Sequence, residues 1–394
     1  MASIYRIRFC LGLGLTLLPG AVCAQMAVSA DVPADLPPEL AALLSDQTVW
    51  SSTATLQSAI GYKDNLLLSR YQPASSGFAR AGAEIFLWRL PQGRADWVAF
   101  ANAEGTRYFD RRAVQQEAQA FLHGEWRYRI GEVFNFSFEG QGYYLDQVFD
   151  VSDTDVQRTV AQLKVTGAAL GPKLHWAPVT WGWVEARGTA KRETYRDGQN
   201  NSRYYEGEFR LGWRPGARFE ASLAAIERRR DFDHREQYSE GGHQQPGTIL
   251  QTTEQEVEGK INVTLDQAAQ WKTVTHAGTV RYADNGSGYF SYREAKLAQE
   301  LEWTAGDWLV QGEASAKRLV YNVQTVGLGI APAARLKESY AAELRVERKL
   351  NARWTVYAEY TWERNRSNYV LAGYRMNECL LGLQWNWEKG RSAL

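Results

Sequence analysis

The sequence predicts an all-β fold: a transmembrane antiparallel up-and-down β-barrel of about sixteen strands, with fourteen to eighteen also compatible. Three observations support it. Apolar and polar residues alternate over 50–387, an apolar leader precedes this region, and short and long connections alternate along the chain. In 354–362, for example, Trp354 and Trp362 fall on one face while Glu359 falls on the other. A period of two indicates strands with two unlike faces.

The first segment, residues 1–24, has the pattern of a cleaved signal peptide. Arg6 and Arg8 form a positive start, an apolar run follows over 10–18, and small residues lead to Ala24. Acylation at Cys23, as in a lipoprotein, is a less favoured alternative. The leader predicts export, and with the barrel it predicts the outer membrane of a Gram-negative bacterium.

Residues 25–49 form a short N-terminal periplasmic segment rather than part of the sheet. Pro33, Pro37 and Pro38 interrupt it, and 39–44 suggests one short helix. Its few apolar residues bury little area, which favours a tether over a lumen plug or a partner-binding helix. We assign 50–388 to the barrel and 389–394 to a C-terminal tail.

The strands are predicted in order from the alternating pattern. An even number places both ends of the barrel on the same side. The predicted strand cores are 51–62, 77–90, 96–109, 117–130, 132–145, 159–171, 180–193, 203–214, 217–229, 250–265, 271–283, 292–304, 307–321, 338–349, 352–364 and 376–387.

The connections between these strands alternate in length, as periplasmic turns and outward loops do in outer-membrane barrels. The short ones fall near 91–95, 131, 177–179, 215–216, 266–269, 305–306 and 351. The long polar ones fall at 63–76, 110–116, 146–158, 194–202, 230–249, 284–291, 322–337 and 365–375.

Charged residues concentrate on one face of each predicted strand. A lipid-facing Arg or Lys costs about 2–4 kcal/mol at the bilayer midplane, so these faces are expected to line the lumen. The candidate lumen-lining residues are Glu125, Arg127, Arg129, Glu139, Glu185, Arg187, Glu206, Glu208, Arg210, Glu258, Lys260, Glu300, Glu302, Glu343, Arg345, Glu347 and Glu359.

Two interpretations of this mixed-charge lumen stay open. Lateral pairing of opposite charges would stiffen the wall, and a polar path would orient a passing solute; both can hold together. The run Arg228, Arg229 and Arg230 opens the longest predicted loop. It is a candidate loop constriction, although a solvated run facing lipopolysaccharide is favoured.

Composition and motifs exclude several function classes. The formal net charge of +0 gives no reason to expect nucleic acid. Only five histidines are present, and no metalloprotease, hydrolase, redox or phosphate-loop motif occurs. We therefore expect no enzyme activity, no catalytic residues, no cofactor and no metal.

Residues 61–65 and the ending over 364–387 resemble short signatures of bacterial porin-like outer-membrane barrels. The resemblance implies contact with outer-membrane lipid and lipopolysaccharide, insertion by the barrel-insertion machinery and a possible homo-oligomer. Similar endings recur in export barrels attached to periplasmic repeat domains, and this chain lacks such a domain. It also continues past Trp387, which would make 381–387 an internal insertion signal.

The expected function is a porin-like channel for small polar solutes or oligosaccharides. One alternative is an export or assembly barrel for exopolysaccharide or a surface lipoprotein, acting with a periplasmic partner. Another is a plugged structural barrel.

Overall fold

The computed structural model describes residues 50–110, 113–153, 155, 160–327 and 330–389. The predicted signal peptide, the segment 25–49 and most of the predicted tail lie outside these residues. No helix among the described residues is long and apolar enough to cross a membrane.

Sixteen long strands, numbered β1 to β16 in chain order, make up the structure. Their bounds are Trp50–Lys63, Ser76–Gln92, Ala95–Tyr108, Gln116–Ile130, Phe134–Asp150, Val160–Val179, Gly182–Tyr195, Ser202–Gly216, Phe219–Phe232, Gln251–Thr264, Trp271–Asp284, Tyr292–Ala305, Trp308–Val326, Ala333–Lys349, Trp354–Ser367 and Tyr374–Lys389. A small hairpin, Gln237–Tyr238 with Gln244–Gln245, lies in the loop after β9, and a 3₁₀ turn spans Val370–Ala372.

The strands form one closed antiparallel ring. Each pairs with its neighbours in sequence, and β1 closes the ring by pairing with β16, with Ile60 opposite Leu381. The predicted fold class and a count of sixteen are confirmed. Closure leaves no unpaired strand edge, as a barrel in lipid requires.

Connections at the two ends of the barrel differ as predicted. One end has tight turns such as 131–133 and 306–307, where Gly131 and Gly306 take positive φ values of 68° and 55°. Glycine adopts these values without a side-chain penalty. The other end has long loops, the longest over 233–250. We call these the turn end and the loop end.

Exposure alternates along the strands, which identifies the two faces of the wall. In β9 Leu223 is 55% exposed and points outward, whereas Arg228 is 2% exposed and points inward. Other outward residues are also large and apolar, and several tryptophans, such as Trp213 and Trp308, stand near the turn end. An apolar outer band with aromatic residues at its border is typical of a transmembrane barrel.

Four strands extend at least five residues further than predicted at one end. The strand β5 reaches Asp150 rather than 145, β6 runs over 160–179, β13 reaches Val326 rather than 321, and β14 begins at Ala333 rather than 338. In β5, β13 and β14 most of the extra residues lie beyond the end of the neighbouring strand β4, β12 or β15, so no neighbour on that side enforces the alternating pattern there. The extra residues of β6, 172–179, pair with β5 and β7 at the turn end.

Candidate functional site

The residues predicted to line the lumen all fall on the inward rows of their strands. Many pair across neighbouring strands. Glu139 binds Lys173 at 2.6 Å and Arg187 at 2.8 Å, and Arg345 donates to Glu359 at 3.0 Å. This agrees with the lateral pairing considered for the wall.

The densest group of charges surrounds Arg228. Its guanidinium contacts Glu206 at 2.7 Å, Glu254 at 2.5 Å and Glu256 at 2.6 Å. The Arg228 side chain is only 2% exposed. One buried cation thus holds carboxylates from β8 and β10 together, and Lys296 of β12 also binds Glu256.

Placing 228–230 in a loop was wrong, because β9 continues to Phe232. Consecutive residues of a strand point to opposite sides, so the three arginines separate. Arg228 points into the lumen, Arg229 points outward with Asp231 at 2.9 Å, and Arg230 points inward to Glu193 at 2.8 Å. They belong to the wall and form no loop constriction.

The lumen is instead narrowed at the loop end by the last residue of β5 and the segment that follows it. Asp150, Ser152 and Asp153 reach the opposite wall, where the Lys337 ammonium contacts Asp150 at 3.0 Å, Asp153 at 2.7 Å and the Ser152 hydroxyl at 3.2 Å. Lys337 is only 4% exposed and lies on β14. We call this set of contacts the transverse bridge.

Further hydrogen bonds fix the bridge on both sides of Lys337. Arg335 donates to the Ser152 carbonyl at 2.8 Å, and the Tyr321 hydroxyl donates to Asp153 at 2.8 Å. Asn365 donates to Asp150 at 2.5 Å. The anchors come from β13, β14 and β15.

The strand order explains why these contacts must cross the lumen. Between β5 and β14 there are seven strand steps in one direction around the ring and nine in the other. The two strands therefore stand on nearly opposite walls. Each belongs to a hairpin that extends beyond its neighbours, and the two hairpins meet over the lumen.

The charged groups of the bridge stabilise one another. Burial raises the pKa of the Asp153 carboxyl, but attraction to Lys337 and the hydrogen bonds from Lys337 and Tyr321 outweigh burial and hold that pKa below its usual range. The carboxylate is therefore charged at neutral pH, as the ammonium contact requires.

An aromatic cluster lies beside the bridge and includes Tyr321. The loop 233–250 turns inward, where the Tyr238 ring stacks on Tyr289 at 5.9 Å and meets Phe290 edge-on at 5.1 Å. The Arg235 guanidinium lies 5.0 Å from the centre of the Phe290 ring, and burial lowers its pKa. Part of the longest loop thus does fold inward, through Tyr238.

A second apolar cluster fills the loop end near β1. Leu66, from the loop after β1, is 1% exposed and packs with Phe78, Tyr108 and Tyr357. Asn65 holds this loop by donating to the Ser69 and Arg375 carbonyls at 2.9 and 2.8 Å. The loop end is thus narrowed from several sides.

Sequence reasoning missed the bridge residues Asp150, Asp153, Arg335 and Lys337. A signal was available in the sequence. In a ring of sixteen strands the loop after β5 faces β14, and this loop region is acidic whereas the start of β14 is basic. The predicted strand β14 began after Lys337, which hid the match.

Comparison with known proteins identifies solved structures of similar architecture but no family. No protein-family profile matches the chain, and no curated protein matches it. Similar solved structures include OmpT, an outer membrane protein of Vibrio cholerae, at 12% identity with a TM-score of 0.44, covering 86% of this chain and 97% of that one.

Two further structures show likeness of the same order. OccAB1 of Acinetobacter baumannii is 7% identical with a TM-score of 0.47, covering 86% of this chain and 96% of that one. A bacterial polysaccharide outer membrane secretin is 10% identical with a TM-score of 0.41, covering 85% and 98% respectively.

Proposed function

We propose that this protein is a non-enzymatic outer-membrane channel that passes small polar solutes or oligosaccharides. The observation that carries the proposal is the transverse bridge, a set of polar contacts across a lumen whose wall carries rows of paired charges. Sixteen-stranded barrels are wide enough for an aqueous path, and an inward segment sets the narrowest passage.

The arrangement of charges supports a polar rather than an apolar cargo. Carboxylates and cations alternate around the wall, as at Glu139 with Lys173 and Glu258 with Arg210. Such a surface presents both donors and acceptors to a solute's hydroxyl and charged groups. A solute without polar groups would leave these groups unpaired.

A plugged structural barrel is the second candidate, and the burial of the inward charges favours it. Arg228, Glu256 and Glu359 are each less than 5% exposed and already bind partners within the wall. Export of exopolysaccharide or a surface lipoprotein with a periplasmic partner stays an alternative prediction.

Single-channel recording of the refolded barrel in a planar bilayer separates these candidates. Steady open steps, with an ion preference read from the reversal potential, are expected of the channel. A barrel that folds, as judged by heat-modifiable migration on a gel, and yet carries no current would refute the open channel and favour the plugged barrel.

We also propose a homo-oligomer through the wall formed by β2 and β3. The outward face of β2 carries Ala79, Ala81 and Ala83, and small residues continue this face on β3. Ala83 lies directly opposite Ala103. Small side chains allow close approach of a second wall. Crosslinking of an Ala81→Cys variant in membranes tests this homo-oligomer.

Insertion by the barrel-insertion machinery through residues 381–387 stays a prediction.

A further inference from the structure

Seven strands carry an outward tryptophan near the turn end and an outward arginine ten residues away, toward the loop end. The pairs are Trp97 and Arg107 on β3, Trp213 and Arg203 on β8, Trp271 and Arg281 on β11, Trp303 and Arg293 on β12, Trp308 and Arg318 on β13, Trp354 and Arg364 on β15, and Trp385 and Arg375 on β16. The chain runs in opposite directions on neighbouring strands, yet on each of these strands the tryptophan lies near the turn end and the arginine lies toward the loop end. The tryptophans therefore lie at one level of the wall and the arginines at another, and we call these two levels the tryptophan ring and the arginine ring.

The separation of the rings matches the thickness of the membrane. Ten residues at about 3.4 Å each span roughly 34 Å along a strand, and a tilt of about 40° reduces this to roughly 26 Å along the barrel axis. The apolar band of an outer-membrane barrel is about 25 Å tall. The arginine ring therefore lies at the head-group level of the leaflet on the loop side.

Arg281, Arg293 and Arg318 form the densest part of this ring. Arg281 of β11 lies directly opposite Arg293 of β12. Arg318 of β13 lies opposite Ala295 of β12, which is two residues closer to the turn end than Arg293. Like charges directly opposite each other destabilise an antiparallel pair. All three are exposed on the outer face.

The protein itself provides little neutralisation for this cluster. In the described part of the chain, none of the three arginines forms an ion pair at 4.0 Å or less. Elsewhere on the loop side Arg229 pairs with Asp231 at 2.9 Å, and Arg192 pairs with Asp233. Two outward carboxylates, Glu338 opposite Arg318 and Glu227 two strands away from Arg281, flank the cluster without such a contact.

We propose that Arg281, Arg293 and Arg318 bind phosphate groups of the lipopolysaccharide in the leaflet on the loop side. A phosphate placed between the guanidinium groups accepts charge-assisted, bidentate hydrogen bonds and removes their mutual repulsion. The height of the cluster matches a lipid head group. Below it the wall is apolar, with Val257 52% and Leu297 53% exposed, and this surface suits acyl chains.

Binding of purified lipid A to the detergent-solubilised protein tests the proposal. We expect diphosphoryl lipid A to raise the unfolding temperature of the wild-type protein. The triple variant Arg281→Gln, Arg293→Gln and Arg318→Gln should bind about tenfold more weakly or worse. The matched control Arg348→Gln removes an outward arginine beside Trp308 at the turn end and should bind like wild type.

Two further arms distinguish the phosphate from the rest of the lipid. Lipid A without phosphates should bind wild type and triple variant equally weakly. Equal binding of both lipids to the wild type would overturn the proposal, as would a triple variant that binds like the control. Inorganic phosphate that stabilises the protein as well as lipid A would indicate a free-anion site and also overturn it.

The inference does not depend on the channel function. The three arginines point away from the lumen, so the triple variant should keep the single-channel conductance of the wild type. Heat-modifiable migration of the variant checks that it still folds. A folded variant that loses lipid A binding but keeps its conductance supports the inference.

Discussion

Replacing Lys337 with Met tests whether the transverse bridge sets the width of the passage. The substitution keeps most of the side-chain volume and removes the ammonium group that contacts Asp150, Ser152 and Asp153. The two largely buried carboxylates of Asp150 and Asp153 then lose the ammonium that they share. Removing one partner of a buried ion pair costs about 3–5 kcal/mol.

That cost acts on docking of the bridge rather than on the barrel, because the ring of strands does not depend on Lys337. A loss of about 3–5 kcal/mol shifts the equilibrium between docked and undocked hairpin roughly a hundred- to several-thousandfold. We expect a larger single-channel conductance, or frequent steps to a larger level, with little change in the unfolding temperature.

The matched control is Lys349→Met, which removes an exposed ammonium at the turn end of the same strand. Its conductance should equal that of the wild type. In a double-mutant cycle, adding Asp153→Asn to Lys337→Met should change conductance less than Asp153→Asn does alone. A folded Lys337→Met variant with the conductance of the wild type would refute our interpretation of the bridge.

Three other predictions concern pH, selectivity and stability. Because the pKa of Asp153 is lowered, its contribution to docking is present above the ordinary aspartate pKa and is lost as the pH falls through the lowered value. The conductance of the wild type should therefore rise in acid. The Asp153→Asn variant should lack this rise. Changing both Glu206 and Glu208 to Lys should move the reversal potential toward anion preference, and an unchanged potential would show that these residues do not face the permeating ions. Arg228→Met should destabilise the barrel by about 3–5 kcal/mol in urea unfolding, whereas the exposed Arg229→Met should cost less than about 1 kcal/mol; equal costs would contradict the ion-pair assignment.

The sequence alone predicted the closed barrel, a count of about sixteen strands and the inward position of the charged rows. This was possible because a wall between lipid and water imposes a two-residue period on each strand, and because charge on the lipid side is costly. The prediction weakened where that period was interrupted. No apolar residue alternates with the charged residues in the run Arg228 to Arg230. The run therefore resembled a loop, although its side chains point alternately inward and outward.

Only the tertiary structure decided what lies across the lumen. Asp153 and Lys337 are 184 residues apart in the chain, and they meet because ring closure brings β5 and β14 to opposite walls. The extensions of β13 and β14 enclose Gly327 and Pro332, which indicate a loop in the sequence. Local pattern reports which side of a strand faces water, whereas contact across a lumen depends on where the ring places each strand.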